Sequence, residues 1–334
     1  EDPAIQVVCI PIADGGEGTV DAIVRATGGQ RKSVRVHGPC GEMLDTAYGW
    51  LPDGSAVVET AMAAGLPLMG TNLDVMNAST FGVGELIGEA VRHGARRVYL
   101  GLGGSATNDG GCGVAAALGV RFTDRDGRAF VPVGRTLREI EHIDMSGSLL
   151  RQETVELLAM CDVTNPLCGP MGAAAVYAPQ KGADEAMVQA LDEGLSHLAD
   201  VILRDLGTDI RDTPGSGAAG GMGAGAVALL GGRLNSGIHT VLDAVGFRQS
   251  LADASLVLTG EGRMDAQSAY GKVISGILQV TRAQGVPVIA ICGGIQGDVG
   301  ALYEQGLTAA FSINRVPMAF AEAKPHSADN LYET

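Results

Sequence analysis

RVYLGLGGSATNDGG, residues 97–111, is the stretch on which the fold assignment turns. Val98, Tyr99 and Leu100 form a short apolar run suited to a buried strand, and it breaks at Gly103-Gly104. Asp109-Gly110-Gly111 then opens an alanine-rich segment with helical spacing near 109–118. The unit is strand, glycine turn, helix, and it recurs. Residues 6–12 (QVVCIPI) precede Asp14-Gly15-Gly16 and a predicted helix near 17–26. Residues 255–258 precede Thr259-Gly260-Glu261-Gly262-Arg263 and a helix near 271–284, and residues 286–291 run into Gly293-Gly294. Such repetition predicts an α/β fold with a parallel sheet and helices on both faces.

A parallel sheet is not the whole chain. Residues 33–37, 47–51 and 56–60 read as strands joined by Gly38-Pro39-Cys40-Gly41 and Pro52-Asp53-Gly54, an antiparallel meander that calls for a second, mixed α/β domain. The expected division is an outer α/β domain from residues 1–38 and 235–334, and a middle domain, 39–234, carrying residues 103–111. Residues 184–206 place Met187, Val188, Leu191, Leu195, Leu198, Val201 and Ile202 at helical spacing, so a long amphipathic helix with a core-facing stripe is predicted.

The formal charge of −15 over 334 residues, with no run of Lys or Arg, argues against a nucleic-acid or anionic-membrane partner and for a small molecule. A hydrophobic share of 46% supplies a sizeable core, built from Ala, Val, Leu and Ile because aromatics are only 4%. The 50 glycines follow no G-X-Y period and read as backbone shaped for close approach. Cys9, Cys40, Cys112, Cys161, Cys168 and Cys292 lack C-x-x-C or zinc spacing and are expected as small buried hydrophobes in a reducing compartment. No apolar stretch approaches the roughly 20 residues needed to span a bilayer, and Glu1-Asp2-Pro3 does not open a leader pattern. A cytoplasmic monomer or homodimer is the expectation.

Four glycine-rich turns carry the polar residues, each at the carboxyl end of a predicted strand, where ligands bind in open α/β sheets. The first holds Asp14, Gly15, Gly16 and Glu17, and Asp14 with Glu17 three residues on also has the form of a helix capping box. The second, Gly103, Gly104, Ser105, Ala106, Thr107, Asn108 and Asp109, offers bare amides and hydroxyls in the density a phosphate-wrapping loop uses, although no Walker A loop exists in the chain. In the third, Gly260, Glu261, Arg263 and Asp265 set two carboxylates around a guanidinium, with Gln267, Ser268 and Lys272 beyond; Mg²⁺ and a nucleotide phosphate would use both signs of charge. The fourth runs from Asp162 and Asn165 to Lys181. Asp162 ends an apolar run, a place for a general base, and Lys181 could offer a point charge to phosphate or simply lie solvated on its turn. Ser216, Gly217 and their neighbours contain one G-x-G-x-x-G, but it follows polar residues, so close helix packing explains it as well as a dinucleotide site.

Taken in order, ADGGEGTVDA (13–22), GGSATNDGG (103–111), CDVTNPL (161–167), APQKGA (178–183), SGAAGGMG (216–223) and LTGEGRMD (258–265) resemble the type I bacterial glycerate kinase family across nearly the whole chain. The family's A-P-D-S-F-K-G loop is not among these residues. The resemblance implies a two-domain fold with a Rossmann- or flavodoxin-like part, and ATP- and Mg²⁺-dependent phosphorylation of D-glycerate, mostly to 2-phosphoglycerate.

On that footing, residues 103–109 would cradle phosphates, and Glu261 and Asp265, with Asp14 and Glu17, would supply Mg²⁺ oxygens directly or through water. Asp162 would accept the hydroxyl proton, and Arg263 or Lys181 would hold the glycerate carboxylate or the migrating phosphoryl group. The alternatives are a nucleotide-dependent oxidoreductase and a non-catalytic small-acid binding protein, neither of which releases ADP.

Overall fold

The structure is a computed structural model that describes residues 5–334 apart from 270–272, 315 and 317. Lys272 therefore lies outside the described residues. The chain divides into two compact units, one made of Glu1–Asp14 and Ile238–Thr334, the other of Gly15–Gly237.

The larger unit is built on a six-stranded mixed sheet. Its strands are β1 (Gln30–His37), β2 (Met43–Trp50), β3 (Ala56–Glu59), β4 (Arg97–Gly101), β8 (Glu156–Met160) and β9 (Arg233–Asn235), in that spatial order. β1, β2 and β3 pair antiparallel as the predicted meander, whereas β3, β4, β8 and β9 are parallel neighbours. Composition explains the placement. β1 reads QRKSVRVH, polar or charged everywhere but Val34 and Val36, which suits an edge that must stay wet. All four residues of β3 and the last four of β4 are buried, as interior parallel strands require. A small antiparallel sheet, β5 (Arg121–Thr123), β6 (Ala129–Phe130) and β7 (His142–Asp144), joins the same unit; its strands are too short to carry a period-2 signal.

The smaller unit holds a three-stranded parallel sheet of β10 (Val257–Thr259), β11 (Val288–Cys292) and β12 (Leu307–Ser312). Its core gathers Ile274, Ile277 and Leu278 of the helix Val273–Gln284 with Val288, Ala290 and Leu302.

The long helix forms as predicted, over Glu185–Leu206. Asp184 accepts from the Met187 amide at its start, Gly207 closes it at φ 70°, and Leu191, Leu195, Leu198, Val201 and Ile202 are buried. Other expectations fail for physical reasons. Residues 6–12 are not a strand: Val7 and Val8 are 74% and 65% exposed, and no ladder partner pairs with them among the described residues. Only Ile10 and Ile12 pack on the smaller core. The first crossing between units falls after Asp14 rather than at residue 38, because β1 pairs along its whole length with β2. The second falls after Gly237, three residues beyond the expected cut at 234/235. Cys9 and Cys40 are exposed and Cys161 and Cys168 half-buried; only Cys112 and Cys292 are the buried hydrophobes expected. Among the described residues no helix is long and apolar enough to cross a membrane.

The capping box at Asp14 and Glu17 does not form either. The helix Thr19–Thr27 starts at Gly18 with no side-chain cap, and its exposed amides are met from another strand. Glu59, at the end of β3 and 3% exposed, accepts from the Gly18 amide at 3.2 Å and the Val20 amide at 2.5 Å. Burial pushes its carboxyl pKa up, and the two amides oppose that shift. Replacing Glu59 with Ala would leave both amides without their acceptor. We expect Glu59→Ala to cost about 1–3 kcal/mol, read as a lower urea midpoint at unchanged m.

Candidate active site

The carboxyl ends of β3, β4, β8 and β9 carry the turns Glu59-Thr60, 102–111, 161–165 and Ser236-Gly237. What joins several of these turns is backbone lying on backbone. A Cβ on Gly101 would sit 2.7 Å from the Gly15 carbonyl oxygen, and one on Gly103 would sit 2.7 Å from the Gly16 Cα. Gly15, at φ +91°, leaves no room against Met160 Cβ, and its carbonyl also accepts from the Gly103 amide at 3.4 Å. The first and second predicted turns thus meet, and glycine is the residue that permits it.

The loop after β4 is anchored from within. Asp109 is fully buried, and its carboxylate accepts from the Thr80 amide and hydroxyl, both at 2.8 Å, from the Gly111 amide at 3.0 Å and from the Gly113 amide at 3.3 Å. Burial raises its pKa against those donors. Asp109 therefore organises the loop and the start of the helix Cys112–Ala117, and does not face a phosphate as expected. Ala106 is likewise interior, packed with Met69 and Ala78. The Gly104 carbonyl accepts from the Leu66 amide at 2.9 Å.

Lys181 lies on the turn Pro179–Lys181, and it is not solvated: it is 3% exposed. Its ammonium donates to Ser105 Oγ at 2.9 Å and to the Thr107 carbonyl at 2.7 Å, leaving one of three N–H donors uncommitted among the described residues. Burial lowers its pKa from 10.5 to about 7, and the Asp109 charge opposes that shift. In the same loop as Ser105, Thr107 Oγ1 and both amide atoms of Asn108 are buried with no hydrogen-bond partner among the described residues. Buried polar groups in that state cost about 1–3 kcal/mol each, so they mark a place where a ligand would be accommodated.

The G-x-G-x-x-G is a packing device. A Cβ on Gly217 would meet the Pro166 carbonyl oxygen at 2.2 Å, and one on Gly220 would meet that of Thr107 at 1.9 Å. Gly217 also donates to the Asn165 carbonyl at 3.0 Å, and Gly220 accepts from the Gly110 amide at 3.1 Å. Ser216 is buried, its hydroxyl turned to the Arg211 carbonyl at 3.5 Å. The Asn165 amide is spent on the Met171 carbonyl and the Tyr177 hydroxyl. Asp162 is exposed rather than buried at the end of its apolar run, and its Oδ1 accepts from Ser236 Oγ at 3.1 Å and the Gly237 amide at 2.9 Å. It thereby secures the start of the helix Gly237–Ala244. Glu17 is exposed, and Asp14, also exposed, belongs to the smaller unit.

The smaller unit builds its own cluster at the carboxyl end of β10. Gly260 lies against the Ile291 carbonyl, where a Cβ would sit 2.1 Å away, and Gly293 donates to the Glu261 carbonyl at 3.0 Å. Glu261 Oε1 accepts from the Ser268 hydroxyl at 2.5 Å, and Arg263 Nε stands 3.4 Å from Asp265 Oδ2. Among the described residues no three His, Cys, Asp or Glu side chains gather closely enough to hold a metal by themselves. Glu261 and Asp265 nonetheless offer hard oxygens on one loop, a set that fits Mg²⁺ sharing its coordination with phosphate.

The glycerate kinase family model matches residues 1–334. The chain belongs to the glycerate kinase family. A glycerate kinase of Halalkalibacterium halodurans is 45% identical over 326 residues, covering 97% of this chain and 86% of that one. The glycerate 2-kinase of Escherichia coli is 43% identical over 331 residues, with coverage of 98% and 87%. A crystal structure described as a glycerate kinase 2 of Salmonella typhimurium LT2 superposes with a TM-score of 0.88 at 41% identity, over 98% of this chain and 87% of that one. This glycerate kinase family member is thus an enzyme, a kinase, on the two-unit α/β fold anticipated from its strand–turn–helix repeats.

Glu59, Thr60 and Thr80 escaped the sequence reading. Thr60 is fully buried and donates through its hydroxyl to the Gly101 carbonyl at 2.8 Å. The signal for Glu59 was present: AVVET puts a carboxylate at the end of an apolar strand, the pattern used for Asp162.

Two outcomes follow from these contacts. Gly220→Ala should lose about 3 kcal/mol or more, since φ is +69° and the Cβ meets a backbone oxygen, whereas Gly262→Ala, with open space around its Cβ, should stay within about 0.5 kcal/mol; urea titration compares them. For Lys181, the folded pKa of about 7 lies below the unfolded value of 10.5, so the unfolded chain binds more protons between them and stability rises with pH across that window. The urea midpoint of the parent chain should therefore gain on that of Lys181→Met as pH is raised from 7 towards 10.5.

Proposed function

We propose that this chain transfers the γ-phosphoryl group of ATP to the 2-hydroxyl of D-glycerate, giving 2-phosphoglycerate and ADP by direct in-line displacement with Mg²⁺. The observation that carries the reading is the Lys181 ammonium held between Ser105 Oγ and the Thr107 carbonyl inside a glycine-built loop. A desolvated cation with one donor uncommitted among the described residues, held by a loop that also carries the Thr107 hydroxyl and Asn108 amide, buried and unpartnered among those residues, suits an anionic phosphate. The name of the Escherichia coli relative, a glycerate 2-kinase, supports the choice of hydroxyl.

In this reading each unit has its own work. Gly103, Gly104 and Ser105 of the larger unit line the phosphate chain, and Asp109 and Gly220 hold that loop in shape. Glu261 and Asp265, on one loop of the smaller unit, are the carboxylates that would hold Mg²⁺. Arg263, 68% exposed at its side chain, takes the glycerate carboxylate, for which a guanidinium is the matching donor. Asp162 positions the turn it caps. With a net charge of −15 repelling both substrates at a distance, these local cations and Mg²⁺ supply the attraction.

The reaction and its regiochemistry are read together from proton-coupled phosphorus NMR of the product. A doublet, from coupling to one carbon-bound proton, is expected for 2-phosphoglycerate, and a triplet would move the product to the 3-hydroxyl. Arg263→Ala should lower kcat/KM by about 100-fold or more with the thermal midpoint nearly unchanged, because its side chain is 68% exposed and its pair with Asp265, at 3.4 Å, adds at most about 1 kcal/mol to stability. Parental kinetics in that variant would remove Arg263 from the site.

A further inference from the structure

Phosphoryl transfer to an alcohol needs a group that takes the hydroxyl proton. Asp162, the residue the sequence suggests, has its Oδ1 committed to Ser236 and Gly237 and stands on the surface. Ser105 and Lys181 have another arrangement. Nζ and Oγ are 2.9 Å apart, both residues are more than nine-tenths buried, and Nζ is steadied by the Thr107 carbonyl at 2.7 Å. In that geometry an uncharged amine can donate to the carbonyl while its lone pair faces the serine hydroxyl. This is the disposition of a serine–lysine dyad, in which a lysine activates an adjacent hydroxyl.

Resting on the proposed glycerate phosphorylation, we propose that Ser105 and Lys181 form a proton relay in which Ser105 Oγ takes the proton of the glycerate hydroxyl as its own proton passes to Lys181 Nζ. The glycerate oxygen then forms its bond to phosphorus as the bond to the leaving ADP oxygen breaks. Lys181, now an ammonium, returns its proton through Ser105 to water after product leaves. The charged group acting on Lys181 is Asp109, whose carboxylate is fixed by Thr80, Gly111 and Gly113. Burial outweighs it and brings the amine to about 7, so an uncharged fraction is present at neutral pH. The same lysine thus has two states, an ammonium that favours anion binding and an amine that accepts a proton.

The test is the pH profile of kcat for the full chain with saturating ATP, Mg²⁺ and D-glycerate, together with sulfonylation by phenylmethanesulfonyl fluoride. The expected kcat rises with slope one and levels near pH 7, the value assigned to Lys181. Ser105→Ala should lower kcat by about 100-fold with little change in the KM for glycerate, and Ser105→Thr, which keeps the hydroxyl, should recover most of it. Lys181→Arg keeps a cation but accepts no proton, so it should lose turnover with its acid limb, whereas Asp162→Asn should keep the limb in place. The reagent forms an O–S bond at Ser105 with loss of fluoride and a proton, and its adduct, located by peptide mass spectrometry in the parent chain, should follow the same limb. That readout needs no turnover and no variant. A parental profile flat from about pH 6 to 8.5, or a limb retained in Lys181→Arg, overturns the relay. If no phosphoglycerate forms at any pH, the kinase reading fails instead, and the pH-dependent Ser105 adduct still decides whether the dyad exists.

Discussion

The larger unit depends on backbone approaching backbone more closely than any side chain permits. Gly101 and Gly103 lie against Gly15 and Gly16, and Gly220 lies against Thr107. Each contact leaves under 3 Å for a Cβ that is not there, so the loop after β4 presses against the Gly15-Gly16 turn and against Gly220 instead of standing apart from them. Removing side chains gives up apolar burial and chain stiffness, and the unit offsets that loss with an interior rich in Val, Leu and Ala, including the fully buried Val58, Val98 and Leu100.

That packing creates the electrostatic situation in which Lys181 sits. Its ammonium is kept from water by the same turns, and two oxygens, one a hydroxyl and one a carbonyl, stand in for solvent. Neither carries a full charge, so they do not restore the ordinary basicity of lysine, and the amine falls to about 7. Asp109, close enough to act on it, is held by four donors of its own and offsets only part of the loss. The smaller unit handles charge differently. Its Arg263 remains close to water, where its attraction to the half-buried Asp265 is screened.

Much of this was legible in residue order. Strands over 97–101 and 257–259, the meander, and the helix at 185–206 follow from hydrophobic period and turn chemistry, which act within a few residues. The motifs themselves pointed to the family that the comparisons then established across residues 1–334. Residues 6–12 misled because a continuous apolar run predicts a strand only where another strand is there to pair with it, and Val7 and Val8 face water. Asp109 and Asp162 misled in opposite ways. Asp109, in a polar glycine-rich loop, is enclosed by donors from Thr80 and Gly113, while Asp162, at the end of an apolar run, is exposed and accepts from the Gly237 amide.

The order of residues determined which segments become strands and helices, where glycine must stand in the turns, and the family to which the chain belongs, because those properties rest on local conformational preference and on motif identity. Only the tertiary structure decided that Lys181 is buried against Ser105, 76 positions away, and that Glu59 caps a helix that begins 40 residues earlier in the chain. Such pairings depend on which turns are brought together when the sheet assembles, and desolvation, which sets the chemistry of an amine or a carboxylate, exists only once they have met.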